Sequence, residues 1–162
     1  MPSGRDQDEA LRDAWDRQRA RAAGRFAAHG ASLTPFREAV LQEVACSAQP
    51  LGAYEISARL SKHAGKPVAP NSVYRVLEVL MACDVVRRVE SRHAYCLAPL
   101  DQGAGGILLM CEGCGTVETV ESRLIENAVN QQISAAHFRP LRKVIEVTGM
   151  CQSCDEDGKQ PA

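Results

Sequence analysis

Two Cys-x-x-Cys pairs constrain this chain more than any other feature of its sequence. The first lies in "ILLMCEGCGTV" and the second in "VTGMCQSCD", each directly after an apolar run. Two residues between the thiols allow both sulfurs to reach one metal ion at about 2.3 Å. Cys111, Cys114, Cys151 and Cys154 therefore predict a tetrahedral, structural Zn²⁺ site, with one ion per chain.

The competing interpretation of these pairs is redox chemistry. A redox Cys-x-x-Cys lies at a helix N-terminus, where the thiol pKa is low. Both pairs are predicted in strand–turn contexts instead, so zinc is favoured. The inner cysteines are 37 positions apart, and a strand–helix–strand pattern fills the interval. Gly113, Gly115 and Gly149 are expected to allow the tight approach of the chain to the metal.

Composition and charge limit the class of protein. The 162 residues, 45% hydrophobic and 24% charged, suit one domain or two small ones. Residues 1–99 carry 14 Lys and Arg against 11 Asp and Glu, and residues 100–162 carry 5 against 9. Any polyanion is therefore expected on the first part. With no signal-like or membrane-spanning apolar run, seven cysteines favour metal binding in a reducing cytoplasm, and no membrane partner is expected.

The first hundred residues change from a helical to a strand-like period. A partly exposed leading helix is predicted over Asp8–His29, and a second helix is predicted to begin after the N-cap Thr34. Two further helices are predicted over Gly52–His63 and Asn71–Cys83. Two short strands follow, in "VVRRVES" and "HAYCLAP", joined by a turn at Ser91–Arg92. Three helices and a β-hairpin follow the order of a winged helix-turn-helix, whose recognition helix enters the DNA major groove.

The last of these helices has a polar N-terminal half that would meet DNA. Arg75 can pair bidentately with guanine, and Tyr74 can reach a phosphate or a thymine methyl. The alternative is that these side chains form a solvated face of a helical domain. Arg87, Arg88 and Arg92 would add positive charge on the β-hairpin, which is the wing of this fold. The expected DNA-binding residues are therefore Asn71, Ser72, Tyr74, Arg75, Arg88 and Arg92.

The order and spacing of these pieces resemble the ferric uptake regulator family of bacterial metalloregulators. The resemblance covers Ser32–Cys154 and is carried by "LTPFREAVL", "AYEISARL", "NSVYRVLEVL", "VVRRVES", "MCEGCGTVE" and "VIEVTGMCQSC". The stretches "RRVESRHAY" and "KVIEVTGMC" are most similar to the zinc uptake regulator branch.

This resemblance implies an α+β fold with two domains. An N-terminal winged helix-turn-helix domain would occupy residues 1–98, and a hinge residues 99–106. A small C-terminal α/β dimerisation domain with the Cys₄ zinc would occupy residues 107–154. Residues 155–162 are expected to form a disordered tail.

The resemblance also implies a function. Such a protein is a sequence-specific transcription regulator, in most cases a repressor, that binds AT-rich palindromic double-stranded DNA as a homodimer. The DNA contacts of the family fall on Tyr54, Tyr74 and Arg75, and its structural zinc ligands fall on the four cysteines.

The regulatory metal site of the family is where this sequence departs from the pattern. Arg87 and Ala98 stand at the wing where a His or Glu and a His or Cys are usual. The segment "DQGAGG" replaces a His-rich stretch, and Thr119 occupies the place of an acidic ligand.

Two interpretations of this hinge remain open. In one, His93 and Cys96, with Asp101 or Glu118, form a rearranged second metal site. In the other, the hinge is metal-blind, and the protein binds DNA constitutively or responds to another signal. The second is favoured, because a transition-metal sensor needs imidazole or thiolate donors.

A different class of function is also compatible with these motifs. A Cys₄ zinc module beside a helical domain can serve as a nucleic-acid or protein-binding adaptor without metal-responsive regulation. RNA-binding modules rely on stacking aromatics, which are only 4% of this chain. An enzyme is not expected, since thiolates saturate the zinc and no catalytic constellation stands out.

Overall fold

The computed structural model describes residues 4–99 and 106–159, with side chains from residue 13 onward. The described chain forms two compact units. The first comprises the residues up to Arg88 together with Arg92–Ala98, and the second comprises Val89–Ser91 and the residues from Pro99 onward. Most of the predicted hinge lies outside the described residues. No helix in the described ranges is both long and apolar enough to cross a membrane.

The first unit begins with a long helix, α1 (Gly4–Ala28). Gly30 follows it with a φ of +65°, a conformation that glycine adopts without strain. Ala22 and Phe26 are buried, and Trp15 packs against the same core. α1 is therefore anchored in the first unit through the second half of its length.

Three shorter helices complete the helical layer of this unit: α2 (Pro35–Ala45), α3 (Ala53–Ala64) and α4 (Pro70–Ala82). The predicted N-cap of α2 is present, since Thr34 Oγ1 accepts the Arg37 N–H at 3.5 Å. The apolar stripes of the three helices meet in one core, formed chiefly by Val40, Leu41, Val44, Ile56, Leu60, Val73, Val76, Leu77 and Leu80.

Two serines fix the turn between α3 and α4. Ser57 Oγ donates to the Val68 carbonyl at 2.6 Å, and the Val68 N–H donates to Ser61 Oγ at 2.9 Å. Ser57 is only 5% exposed, so its hydroxyl needs a partner inside the protein. These bonds set the position at which α4 begins.

A three-stranded sheet follows the helices. It consists of β1 (Leu51–Gly52), β2 (Val86–Val89) and β3 (Ala94–Leu97), in the order β1–β3–β2. The β2–β3 hairpin is the wing, and the predicted turn at its tip is part of a short 3₁₀ helix, Glu90–Arg92. The winged helix-turn-helix prediction is confirmed. The sequence did not predict β1, because a two-residue strand is too short to show an alternating pattern.

The second unit is built on a mixed sheet of β4 (Ile107–Cys111), β5 (Val117–Val120) and β6 (Ile145–Gly149), in the order β5–β4–β6. β4 pairs antiparallel with β5 and parallel with β6. A parallel pair needs a crossover, which α5 (Arg123–Ala135) supplies. The strand–helix–strand interval between the cysteine pairs therefore forms as predicted.

A short helix, α6 (Gln152–Glu156), follows β6 and was not expected. It continues past residue 154, where the sequence predicted the start of a disordered tail, and the described residues extend to Lys159. Five residues are too few to show a helical apolar period, so no sequence pattern predicts this helix.

Large apolar side chains remain exposed on the second unit. α5 buries none of its residues within the single chain, and Leu124 and Leu141 are 82% and 94% exposed. A surface of this kind is typical of a protein that associates with another chain. The other exposed members are Leu109, Val120, Ile125, Phe138, Val144 and Val147.

Candidate metal centre and nucleic-acid interface

The four predicted zinc ligands of the second unit lie together. The Sγ atoms of Cys111, Cys114, Cys151 and Cys154 are all within 4.8 Å of one another. Cys114 Sγ is 3.8 Å from Cys151 Sγ. A tetrahedral ion with Zn–S bonds of about 2.3 Å requires S–S edges of about 3.8 Å, so the arrangement fits Zn²⁺. Four thiolates leave no position for water, so this zinc is structural.

Two glycines shape the turn that carries the first pair. The Gly115 N–H donates to the Cys111 carbonyl at 2.8 Å, and Gly115 has a φ of +71°. A Cβ on Gly113 would lie 3.0 Å from Cys154 Cβ and 3.1 Å from Cys154 Sγ. Gly149 has no such neighbour within 4 Å, so the expectation that the site needs a glycine there is wrong.

The protein environment acts differently on the individual thiols. The Cys151 N–H donates to Cys111 Sγ at 3.3 Å and, with the Cys114 N–H, lowers the pKa of the Cys111 thiol to about 6. Burial raises the pKa of the Cys154 thiol to about 12. The Cys111 thiolate therefore forms readily, whereas the Cys154 thiol needs a bound cation to hold it deprotonated.

The second cysteine pair does not have the strand–turn context that the sequence predicted. Cys151 is the N-cap of α6, and Cys154 lies within that helix. A helix N-terminus is also the setting of redox pairs, so this local context does not distinguish the two chemistries. Convergence of all four sulfurs and the 1% exposure of Cys154 favour the closed metal site.

Lys159 is a neighbour of the metal centre that the sequence did not indicate. Its Nζ lies 3.8 Å from Cys154 Sγ and 3.3 Å from Asp157 Oδ2. A cation at this position offsets part of the negative charge of four thiolates around one Zn²⁺. The residue was missed because it falls in the segment predicted to be a disordered tail.

The polar half of α4 is exposed on the first unit. Asn71, Ser72, Tyr74 and Arg75 all face solvent, whereas Val73 between them is fully buried. The N-cap position of α4 makes no side-chain cap, which suits a helix start that meets an anionic ligand. The first unit thus presents the four side chains predicted to contact DNA on one continuous face of α4.

Tyr54 extends this face from the neighbouring helix. It stands in the first turn of α3, and its ring meets the ring of Tyr74 edge to face with 6.2 Å between centroids. Tyr54 is 70% exposed and Tyr74 38% exposed. The structure therefore brings together two of the three residues on which the family DNA contacts fall, and Arg75 is adjacent.

The arginines of the wing have different environments. Arg92 is exposed, whereas Arg88 is half-buried and its Nη2 donates to His93 Nδ1 at 2.9 Å. A guanidinium has no acceptor, so this His93 nitrogen must be unprotonated in the bond. His93 itself has a φ of +49° at the tip of the wing. Arg92 is the wing cation most accessible to a phosphate.

The residues considered for a second metal site are distributed over the chain. His93 is bonded to Arg88, Cys96 is half-buried on β3, and Glu118 is exposed on β5. Asp101 lies outside the described residues. Within the ranges that the structure describes, the four zinc cysteines form the only group of three or more His, Cys, Asp or Glu side chains placed to hold a metal ion.

Comparison with known proteins agrees with this geometry. The sequence model of the ferric uptake regulator family matches residues 28–148. The zinc uptake regulation protein of Escherichia coli (strain K12) is 30% identical over 126 residues, which cover 76% of this chain and 73% of that protein.

Two solved structures extend the comparison to the fold. The crystal structure of holo XcZur gives a TM-score of 0.77 at 30% identity and covers 88% of this chain and 99% of that one. A zinc uptake regulator complexed with zinc and DNA gives 0.76 at 26% identity, over 93% and 96%. The chain therefore belongs to the ferric uptake regulator family, is similar to zinc uptake regulators in sequence and fold, and is a transcription regulator rather than an enzyme.

Proposed function

We propose that this chain is a homodimeric repressor that binds AT-rich palindromic DNA, and that the zinc of its Cys₄ site serves the fold alone. In this proposal the hinge has no regulatory metal. DNA binding is therefore constitutive, or it responds to a signal other than zinc, iron or manganese.

The exposed face of α4 carries the DNA-binding part of the proposal. Arg75 and Tyr74 project from it beside Tyr54, and Arg92 adds a cation on the wing. Arginine reads guanine bidentately, and a positive wing suits phosphate. The solved zinc uptake regulator in complex with DNA supports the same use of this fold.

The apolar surface of the second unit supports the homodimer. Leu124, Phe138 and Leu141 are each more than 60% exposed in the single chain. Burial of such side chains against a second copy provides a hydrophobic driving force. Two copies carry two recognition helices, which agrees with a palindromic operator whose half-sites repeat at about one helical turn.

The metal-blind hinge is supported by the chemistry of the residues at the expected ligand places. Arg87 is half-buried on β2, where a cation opposes the approach of a metal ion. Ala98 is 4% exposed and has no donor side chain. His93, the nearby imidazole, already accepts from Arg88.

Fluorescence anisotropy on an operator obtained by selection tests the proposal. Free zinc is buffered from picomolar to micromolar, with the Cys₄ site filled throughout. We expect one zinc per purified chain and an operator affinity that changes less than tenfold, which is less than about 1.4 kcal/mol of coupling.

Two outcomes would overturn parts of this proposal. A tenfold or larger gain in affinity with zinc would show a working sensor, and its loss in Cys96→Ala would identify the rearranged site. Failure of the selection to enrich any duplex sequence would instead favour the adaptor function.

A further inference from the structure

The C-terminal half of α1 presents two arginines to main-chain carbonyls at the two ends of the β2–β3 hairpin. Arg21 Nη1 donates to the Ala98 carbonyl at 2.9 Å, across 77 positions of sequence. Arg25 Nη1 donates to the Asp84 carbonyl. The two arginines are four residues apart, so they lie on one face of the helix.

The Ala98 and Asp84 carbonyls lie close together in the first unit. The Ala98 N–H donates to the Val85 carbonyl at 3.0 Å, so Ala98 lies against the segment that contains Asp84. Ala98 is the last residue of the first unit. Arg21 and Arg25 therefore hold the chain just before β2 and just after β3, at the point where it leaves the unit.

The C-terminal half of α1 is fixed firmly enough to act as an anchor. Phe26 is fully buried and Ala22 is 1% exposed. The guanidinium of Arg37 stacks over the Phe26 ring at 5.6 Å from its centroid. Arg19 adds an ion pair with Glu38 on α2 at 2.6 Å. The backbone positions from which Arg21 and Arg25 project are therefore fixed within the first unit.

A hydrogen bond from a guanidinium to a buried carbonyl is among the stronger polar contacts in a protein. Ala98 is 4% exposed, so loss of the donor would leave its carbonyl without that charge-assisted bond in a largely dry setting. The Ala98 side chain is a methyl group, so it cannot form a hydrogen bond or bind a metal ion. Arg21 thus supplies from α1 the positional restraint that the side chain at position 98 does not provide.

We infer that α1 fixes the exit of the chain from the first unit, and that Arg21 is a positioning residue for operator binding by the dimer. The inference about DNA rests on the proposed function, whereas the inference about the exit does not. A defined exit limits the orientations that two linked recognition helices sample, so it favours binding to two half-sites at fixed spacing.

Amide hydrogen exchange on the full-length, zinc-loaded chain tests the restraint directly. Arg21→Met keeps the aliphatic stem and removes the donors. We expect exchange at the Ala98 amide to accelerate about tenfold or more, as loss of about 1.4 kcal/mol of local stability does. The Leu77 amide on α4 should be unchanged. Arg17→Met is the matched control, because Arg17 is exposed on the same helix and loses the same charge.

Operator binding tests the functional part. Arg21→Met should lose about tenfold more affinity for a two-half-site duplex than for a single half-site, and Arg21→Lys should recover part of the difference. Arg17→Met should show no such difference. Equal losses on both duplexes, or uniform acceleration of exchange throughout the first unit, would mean that Arg21 only stabilises the fold and would overturn the inference.

The two measurements separate the inference from the proposed function. If the wild-type chain binds no duplex, the proposed function fails, and the exchange at Ala98 still decides whether Arg21 holds the exit. If exchange at Ala98 is the same in Arg21→Met and Arg17→Met, the inference fails even where DNA binding is confirmed.

Discussion

The rings of Tyr54 and Tyr74 meet edge to face, with 6.2 Å between their centroids and 84° between their planes. Tyr54 stands in the first turn of α3 and Tyr74 in the second turn of α4, so the contact joins the two helices at their solvent-facing side. Edge-to-face pairs contribute about 0.5–1.5 kcal/mol beyond the area that they bury. The contact therefore orients the Tyr74 hydroxyl relative to α4 before any ligand binds.

A double-mutant cycle on operator affinity measures this coupling. Tyr54→Ala should weaken binding both by loss of its own contact and by release of Tyr74. The combined loss in Tyr54→Ala with Tyr74→Ala should then fall short of the sum of the single losses by about 0.5–1.5 kcal/mol. Tyr54→Phe keeps the ring and serves as the control for the hydroxyl. Strictly additive losses would contradict an orienting role for the pair.

Arg75 and Arg92 should differ in how their loss affects DNA binding. Arg75→Ala on α4 is expected to cost about 1–3 kcal/mol on the selected operator and to relax base preference at one position, as loss of a bidentate guanine contact does. Arg92→Ala on the wing is expected to weaken binding to all duplexes alike and to lower the slope of affinity against salt. Anisotropy titrations on operator and scrambled duplexes at several salt concentrations distinguish the two. Equal, sequence-independent losses would contradict the groove assignment.

The parts of the fold that were predictable have strong local signals. Thr34 before Pro35 marked the start of α2, and the apolar stripe through Leu77 marked α4. The paired cysteine spacing by itself indicates the metal site. Each of these features is decided by residues close together in sequence, where capping and periodicity act.

The features that were missed depend on tertiary contacts or on very short elements. β1 has two residues and forms because β3 lies beside it. α6 has five residues, and its start coincides with the ligand Cys151. The bond from Arg21 to Ala98 spans 77 positions, and no local pattern predicts which carbonyl an arginine reaches.

Loss of a zinc ligand should release the metal and unfold the second unit. Cys111→Ser or Cys154→Ser removes a thiolate from a site whose binding free energy is also folding free energy. Metal content by mass spectrometry and thermal unfolding followed by circular dichroism report the two effects. Cys46→Ser is the matched control, since Cys46 is exposed on the first unit and belongs to no cysteine cluster. Full zinc content with an unchanged thermal transition in both ligand variants would rule out the structural role.

Gly113 and Gly149 provide the sharpest test of the packing around the zinc. A Cβ on Gly113 would lie 2.8 Å from Met150 Cε, 3.0 Å from Cys154 Cβ and 3.1 Å from Cys154 Sγ. Met150 is flexible at its end and can move away, but Cys154 cannot move without disturbing its bond to the metal. Gly149 lies just before the second cysteine pair, yet a Cβ there would meet nothing within 4 Å.

Gly113→Ala should therefore weaken zinc retention and destabilise the second unit, while Gly149→Ala should leave both unchanged. The expected cost in Gly113→Ala is about 1–3 kcal/mol, the range for overpacking a well-filled site. Competition with a chromophoric chelator measures zinc retention, and denaturant unfolding measures stability. If both variants behaved alike, the close approach of Gly113 to Cys154 would not be what closes the site, and the turn geometry set by Gly115 would have to account for it.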